Sequence, residues 1–247
     1  MNHKINPAIE IANMSISPRT VVLTGAAGNL GKAAAQVFAQ EGARLVLLDR
    51  APISEAVLAA LAPAQCLSLV VDLCDAAQVA MAVEQALARF GRIDVLCNLT
   101  GGFAMGDMVH ETSDSTWDFL HDMNVVTLRN TSRAVVPQML RQGGGKIVNV
   151  GAYSAQRGLA GMGAYIAAKS EVLRVTEAMA AELRMKNINV NCVLPTILDT
   201  PQNRADMPDA DPKRWVSPQD LAKVIDFLAS DAAHAIHGAG VPVTGLS

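Results

Sequence analysis

Cysteine is scarce: the 247 residues contain four, at Cys66, Cys74, Cys97 and Cys192. None forms a C-x-x-C pair or stands at metal-site spacing with the scattered His3, His110, His121, His234 and His237. That excludes a disulfide-built scaffold and gives no reason to expect a metal. Cys66, Cys97 and Cys192 lie in apolar runs and read as small buried hydrophobes in a reducing compartment. Charge is also thin, with 17% charged residues, a net charge of -3 and no basic stripe, so no nucleic-acid partner is expected. No segment nears the roughly 18 consecutive apolar residues of a membrane span. Met1 to Ser17 carry Lys4 and Glu10 but no long apolar stretch, unlike a secretory signal. What is abundant is hydrophobicity, at 51%. A chain of this size and composition buries a core without staples, and a soluble, cytoplasmic globular protein is expected. Residues 1–17 read as a loose N-terminal extension and 18–247 as one domain.

Short aliphatic runs alternate with longer helical stretches. The runs are Thr20–Thr24, Arg44–Asp49, Cys66–Val71, Ile93–Asn98, Lys146–Val150, Ile188–Leu194 and a weak one at Gly240–Val243. Between them lie Leu30–Glu41, Ala76–Phe90, Ser113–Arg141, Ala164–Lys186 and Pro218–Ala229. This alternation predicts βαβ units around a parallel sheet buried on both faces. Right-handed crossovers then favour a doubly wound, Rossmann-like α/β domain of about seven strands with helices on both sides. Ser217-Pro218 has the form of a helix start. Pro195 to Pro218 has no period, and an aperiodic loop of that length suggests a flap over a substrate.

The first strand runs into Thr24-Gly25-Ala26-Ala27-Gly28-Asn29-Leu30-Gly31 and then a helix. Glycines there permit a tight turn and let backbone N–H groups approach a phosphate at the helix N-terminus. The spacing is G-x-x-G-x-x-G, which by itself also suits an ordinary strand-to-helix turn. Asp49 ends the second strand, where a carboxylate can accept from a ribose diol or simply close a strand. Later, Tyr165 and Lys169 stand four apart, on one helix face and one turn from each other. A free phenol, with a pKa of about 10, is a poor acid-base group at neutral pH. A lysine alongside is expected to lower that value.

With these motifs the chain resembles the short-chain dehydrogenase/reductase family, whose glycine motif T-G-x-x-x-G-x-G is matched by Thr24, Gly25 and Gly31. Asn29 replaces its middle glycine, and asparagine tolerates a left-handed backbone. The resemblance implies that Gly25, Gly28, Asn29, Leu30 and Gly31 hold a dinucleotide. Gly28 and Asp49 together imply a preference for NAD(H), while Arg50 leaves NADP(H) open. Asp72-Leu73 matches the pair set against adenine. Asn98, Thr100 and Gly101 stand at the segment where many members have Asn-Asn-Ala-Gly. Pro195, Thr196, Leu198 and Thr200 fall at the nicotinamide end, with Thr196 replacing a usual glycine. Tyr165 and Lys169 match the proton-transfer pair, and Asn124 matches the asparagine of the family's proton relay. A homotetramer or homodimer is implied as well.

One departure stands out. Thirteen residues before Tyr165, where the family has a serine that polarises the substrate carbonyl, the chain has Ala152. Alanine donates no hydrogen bond, and removing such a donor costs roughly 3 kcal/mol of transition-state stabilisation. Ser154 is the nearby substitute. Alternatively the acceptor is already electron-poor, as in a quinonoid ring. The C-terminal half resembles dihydropteridine reductases, a subgroup lacking this serine, in Val193–Arg204, in Gly101-Gly102-Phe103-Ala104 and in Gly161-Met162. Phe103, Met105, Ala152, Tyr153, Ser154, Met162 and Trp215 are the candidate substrate contacts, by proximity to these motifs. The expected activity is hydride transfer between nicotinamide and a small carbonyl or alcohol. A quinonoid pterin is the alternative substrate, and a non-catalytic nucleotide-binding sensor is the reading from another class.

Overall fold

The computed structural model describes residues 18–61 and 63–247, so the extension at 1–17 lies outside the described residues. Each apolar run forms a strand. These are β1 (Thr20–Thr24), β2 (Arg44–Asp49), β3 (Cys66–Val70), β4 (Val95–Asn98), β5 (Gly145–Val150), β6 (Ile188–Pro195) and β7 (Gly240–Val243). All pairings are parallel, in the order β3-β2-β1-β4-β5-β6-β7. Successive strand residues point to opposite faces, and both faces are buried. Leu23, Leu45 and Leu47 join one core layer, whereas Val22, Val46 and Leu48 join the other.

The helices that fill those layers are α1 (Asn29–Gln40), α2 (Glu55–Ala60), α3 (Ala76–Phe90), α4 (Asp114–His121), α5 (Thr127–Gln142), α6 (Gly163–Leu183), α7 (Pro201–Asp206) and α8 (Pro218–Leu228). Phe38 of α1 packs with Leu221 and Ile225 of α8 on one face of the sheet. Val79 and Val83 of α3 and Val135 and Met139 of α5 cover the other. Helix starts follow local chemistry: the Asp75 carboxylate accepts from the N–H of Ala77 and Gln78 at α3, and Ser217 Oγ accepts from Asp220 N–H at α8.

The stretch expected as one helix, Ser113–Arg141, is divided by a π-turn at Asp122–Val126, where Thr127 N–H reaches back five residues to Asp122 O. The expected loop Pro195–Pro218 is more ordered than its sequence indicates. It holds α7, started by Thr200 and Pro201, and Leu198 pairs with Val216 in a parallel bridge. Trp215 is buried rather than open to the crevice. Cys97 and Cys192 are buried, but Cys66 is half-exposed because β3 is the edge strand. Among the described residues no helix is long and apolar enough to cross a membrane.

Candidate active site

Strand order reverses between β1 and β4, which opens a crevice at their carboxyl ends. Thr24 Oγ1 ties the two emerging loops together by accepting the N–H groups of Leu99 (2.9 Å) and Thr100 (3.1 Å). Gly25 turns the chain in the left-handed region, φ +64°, and a Cβ there would press on the Thr100 backbone. A Cβ on Gly31 would collide with Gly25 O and Ala26 Cα, so α1 lies against the turn only because that position is glycine. The left-handed residue is therefore Gly25, and Asn29 is instead the first residue of α1. Gly28 caps α1 with no side-chain acceptor, which leaves the first-turn amides around Leu30 directed at the crevice.

Asp49 stands beside this turn. Its Oδ2 accepts from Ala27 N–H and its Oδ1 from Ala51 N–H, both at 2.9 Å, while Arg50 is exposed next to it. Thr100 Oγ1 is buried near Gly25 without a hydrogen-bond partner. Bare helix amides, a glycine cradle and a fixed carboxylate together fit the phosphates and ribose of a dinucleotide.

The other expected cofactor contacts already have partners within the protein. Leu73 is packed in the core with Val79 and Val83, and Asp72 Oδ1 accepts from Cys74 N–H. Asn98 points into the sheet, donating to Asn149 Oδ1 (2.9 Å) and accepting from Thr131 Oγ1 (2.7 Å). Asn149 in turn donates to Thr176 Oγ1 at 2.9 Å, so a buried polar chain joins α5, β4, β5 and α6. At the far end of the crevice Pro195 closes β6 and Leu198 packs into the core. Thr196 Oγ1 donates to Thr244 O, and Thr200 Oγ1 caps α7 by accepting from Asn203 N–H.

Tyr165 and Lys169 lie on the first turns of α6. Lys169 is 5% exposed, and its Nζ donates to Val150 O at 2.8 Å. Burial brings this ammonium down to about 8, the Cys192 sulfur opposing in part. Burial also pushes the Tyr165 phenol up to about 12. That corrects the expectation of a lysine-lowered phenol: withdrawal from water governs both groups here. Asn124 sits in the π-turn, donating to Leu120 O (2.8 Å) and Gly102 O (3.0 Å) and accepting from Gly102 N–H (3.2 Å). A Cβ on Gly101 would lie 2.9 Å from Asn124 Oδ1 and 3.2 Å from Lys169 Nζ, so Gly101 is the floor on which both polar ends meet.

On the substrate side, Ala152 is buried in extended backbone and offers only a methyl group. Tyr153 and Ser154 follow in a 3₁₀ turn, Tyr153 exposed and Ser154 half-buried. The Phe103 ring meets the Tyr165 ring edge-on, centroids 4.9 Å apart and planes at 82°. Met162 precedes α6 and lines a cavity of about 80 Å³ with Met105, Asp107 and Thr116. Sequence reasoning missed Met108, Val109 and Leu159, exposed apolar residues of the same two loops. Their signal was apolar side chains inside aperiodic, glycine-rich segments, where no core position calls for them.

The family model described as short chain dehydrogenase matches residues 19–211. The chain is 32% identical to the 3-oxoacyl-[acyl-carrier-protein] reductase of Thermotoga maritima, over 94% of this chain and 98% of that protein. It is 30% identical to an NAD-dependent glycerol dehydrogenase of Listeria innocua, over 94% and 95%. Among solved structures, a carveol dehydrogenase from Mycobacterium avium in complex with NAD superposes with a TM-score of 0.82 at 28% identity, covering 92% of this chain and 96% of that one. None of these carries the narrower resemblance to dihydropteridine reductases, which stays a reading of the C-terminal motifs.

Proposed function

The chain belongs to the short chain dehydrogenase family, and from that premise we propose an NAD(H)-preferring oxidoreductase that interconverts a small carbonyl compound and its alcohol. The observation carrying this reading is Tyr165 and Lys169, both withdrawn from water on one face of α6. Bound in the crevice, a nicotinamide cofactor supplies or takes up a hydride. The amides at Gly28 to Gly31 would hold its phosphates and Asp49 the adenine-side ribose. Lys169 and the Pro195–Thr200 segment would hold its other end. Asp49 disfavours a 2′-phosphate, though exposed Arg50 tempers that preference for NAD(H) over NADP(H).

The proton chemistry follows from half-buried Tyr165 and buried Lys169. With its phenol near 12, Tyr165 is protonated at neutral pH, the form required to deliver a proton to a carbonyl oxygen. The phenolate left behind faces a lysine one turn away, which is cationic below about 8. Asn124 keeps Gly102 in place beneath that pair. Ala152 contributes nothing to polarising the carbonyl. This favours a second reading, an acceptor that needs one donor only, such as a quinonoid dihydropterin. Residues 18–247 act as one catalytic domain in this proposal, in the cytoplasm and as a homotetramer or homodimer.

Tyr165→Phe tests the reading. Loss of the proton donor is expected to lower kcat by about 10²- to 10⁴-fold, with NADH binding retained in a fluorescence titration. Unchanged kcat in the variant would overturn the assignment. Tight NADH binding by the wild type with no turnover of ketone, alcohol or dihydropterin would support a non-catalytic sensor instead.

A further inference from the structure

We infer that Thr196 is a positioning residue for the nicotinamide end of the cofactor, its hydroxyl fastening residues 244–247 as a clasp across both stems of the flap, 196–199 and 214–216, an inference that rests on the oxidoreductase reading above.

The strip that begins at Thr196 lies beside the catalytic pair. Gly151 N–H donates to Val193 O at 2.9 Å, so the end of β6 runs alongside the end of β5, where Val150 O receives Lys169 Nζ. Beyond β6 the chain runs out into the flap and returns. Its two stems meet at the bridge of Leu198 and Val216: Val216 N–H donates to Ile197 O (2.9 Å) and Asp199 N–H to Val216 O (2.8 Å). Residues 244–247, which follow β7, fasten each stem in turn. On the first, Thr196 N–H donates to Val243 O (3.2 Å), while Thr196 Oγ1 donates to Thr244 O (3.0 Å) and lies 2.8 Å from Ser247 Oγ. On the second, Leu246 N–H donates to Arg214 O (2.9 Å), and Arg214 Nη2 donates back to Leu246 O (3.1 Å). Gly245 makes the fit possible. Its backbone is left-handed, φ +59°, and a Cβ there would lie 2.8 Å from Arg214 O.

Any residue but proline would donate the backbone bond at 196, so the hydroxyl is what the sequence adds. Without it, residues 244–247 would hold the second stem only, and the strip would keep a single backbone bond to Val243. A strip already fixed in place costs less to order when a ligand seats on it, and a flap held at both stems opens less often. The glycine turn and Asp49 stand at β1 and β2, with β4 and β5 between them and β6. The clasp therefore acts on the nicotinamide half of the dinucleotide and leaves the adenine half alone.

Calorimetric titration compares NADH with ADP-ribose, the same nucleotide without its nicotinamide ring, in the wild type, Thr196→Val, Thr196→Ser and Gly245→Ala. Stopped flow follows NADH release. Thr196→Val and Gly245→Ala loosen the clasp from opposite sides. Each is expected to weaken NADH binding by about fivefold, the size of one net hydrogen bond, and to speed its release. ADP-ribose affinity is expected to stay unchanged, and Thr196→Ser to keep wild-type values. Unchanged NADH affinity in Thr196→Val overturns the inference. So does an equal loss for both nucleotides, which marks a general loosening of the fold. A loss in Thr196→Val that Gly245→Ala does not share, or that serine does not prevent, overturns it too. If Gly245→Ala does not fold, Ser247→Ala takes its place at the same contact. In each of those cases the wild type still binds NADH and the oxidoreductase reading stands. A wild type that binds neither nucleotide overturns both.

Discussion

A lysine withdrawn from water is held against a solvation penalty that its few partners offset only in part. Lys169 keeps one protein acceptor, Val150 O, and its pKa falls from the ordinary 10.5 to about 8. Because the folded value lies below the unfolded one, this group destabilises the fold at pH 7. The penalty begins to lift as pH rises past about 8 and is gone above 10.5. Lys169→Met removes the titration together with a pH-independent hydrogen bond, so the informative quantity is the slope. Thermal melts from pH 7 to 10 should show the Met variant losing ground steadily to the wild type as pH rises. A stability difference that stays flat over that range would remove burial as the cause. At this scale the four-residue spacing of Tyr165 and Lys169 was plain in the sequence, whereas the direction of the phenol's shift was not. That direction depends on how deeply Tyr165 is buried, and its cover includes Phe103, sixty-two positions upstream.

Between α4 and α5 the helix admits one wider turn, and Asn124 fills it. Its amide donates to Leu120 O, the carbonyl four residues back, and also clamps both backbone groups of Gly102. Asn124→Ala would take the side-chain donor from the buried Leu120 carbonyl and leave both backbone groups of Gly102 without this partner. Each group left unpaired costs about 1–3 kcal/mol, so urea unfolding should show a loss of at least that size, with turnover falling in parallel. Retention of full stability would mean that the π-turn does not depend on this side chain. Such turns escape a sequence reading because the apolar period continues through Ser113–Arg141 and a single wide turn barely shifts its phase. Helix α2 escaped for another reason: six residues are too few to show a period. Helix α7 escaped as well, because its start, Thr200-Pro201, lies within a segment otherwise rich in breakers.

Across the whole molecule, the alternation of strands and helices carried the architecture, because a parallel sheet buried on both faces needs uninterrupted apolar strands such as Val21-Val22-Leu23. What the alternation does not encode is which distant loops meet: the joining of Gly106 to Gly161 is a tertiary choice between aperiodic segments. The switch point, by contrast, follows from topology, and Asp49 stands beside the glycine turn that leads into α1. A ligand bound only by the folded chain stabilises it by RT ln(1 + [L]/Kd), about 2.7 kcal/mol at a hundredfold excess over Kd. NADH should therefore raise Tm more than NADPH at equal concentration, since the 2′-phosphate brings further negative charge toward the Asp49 carboxylate. Asp49→Asn keeps an oxygen for Ala27 N–H while removing the charge, and should narrow the gap chiefly by improving NADPH. Equal shifts for the two cofactors in the wild type would show that exposed Arg50 cancels Asp49. An unchanged gap in the variant would place the discrimination outside this carboxylate.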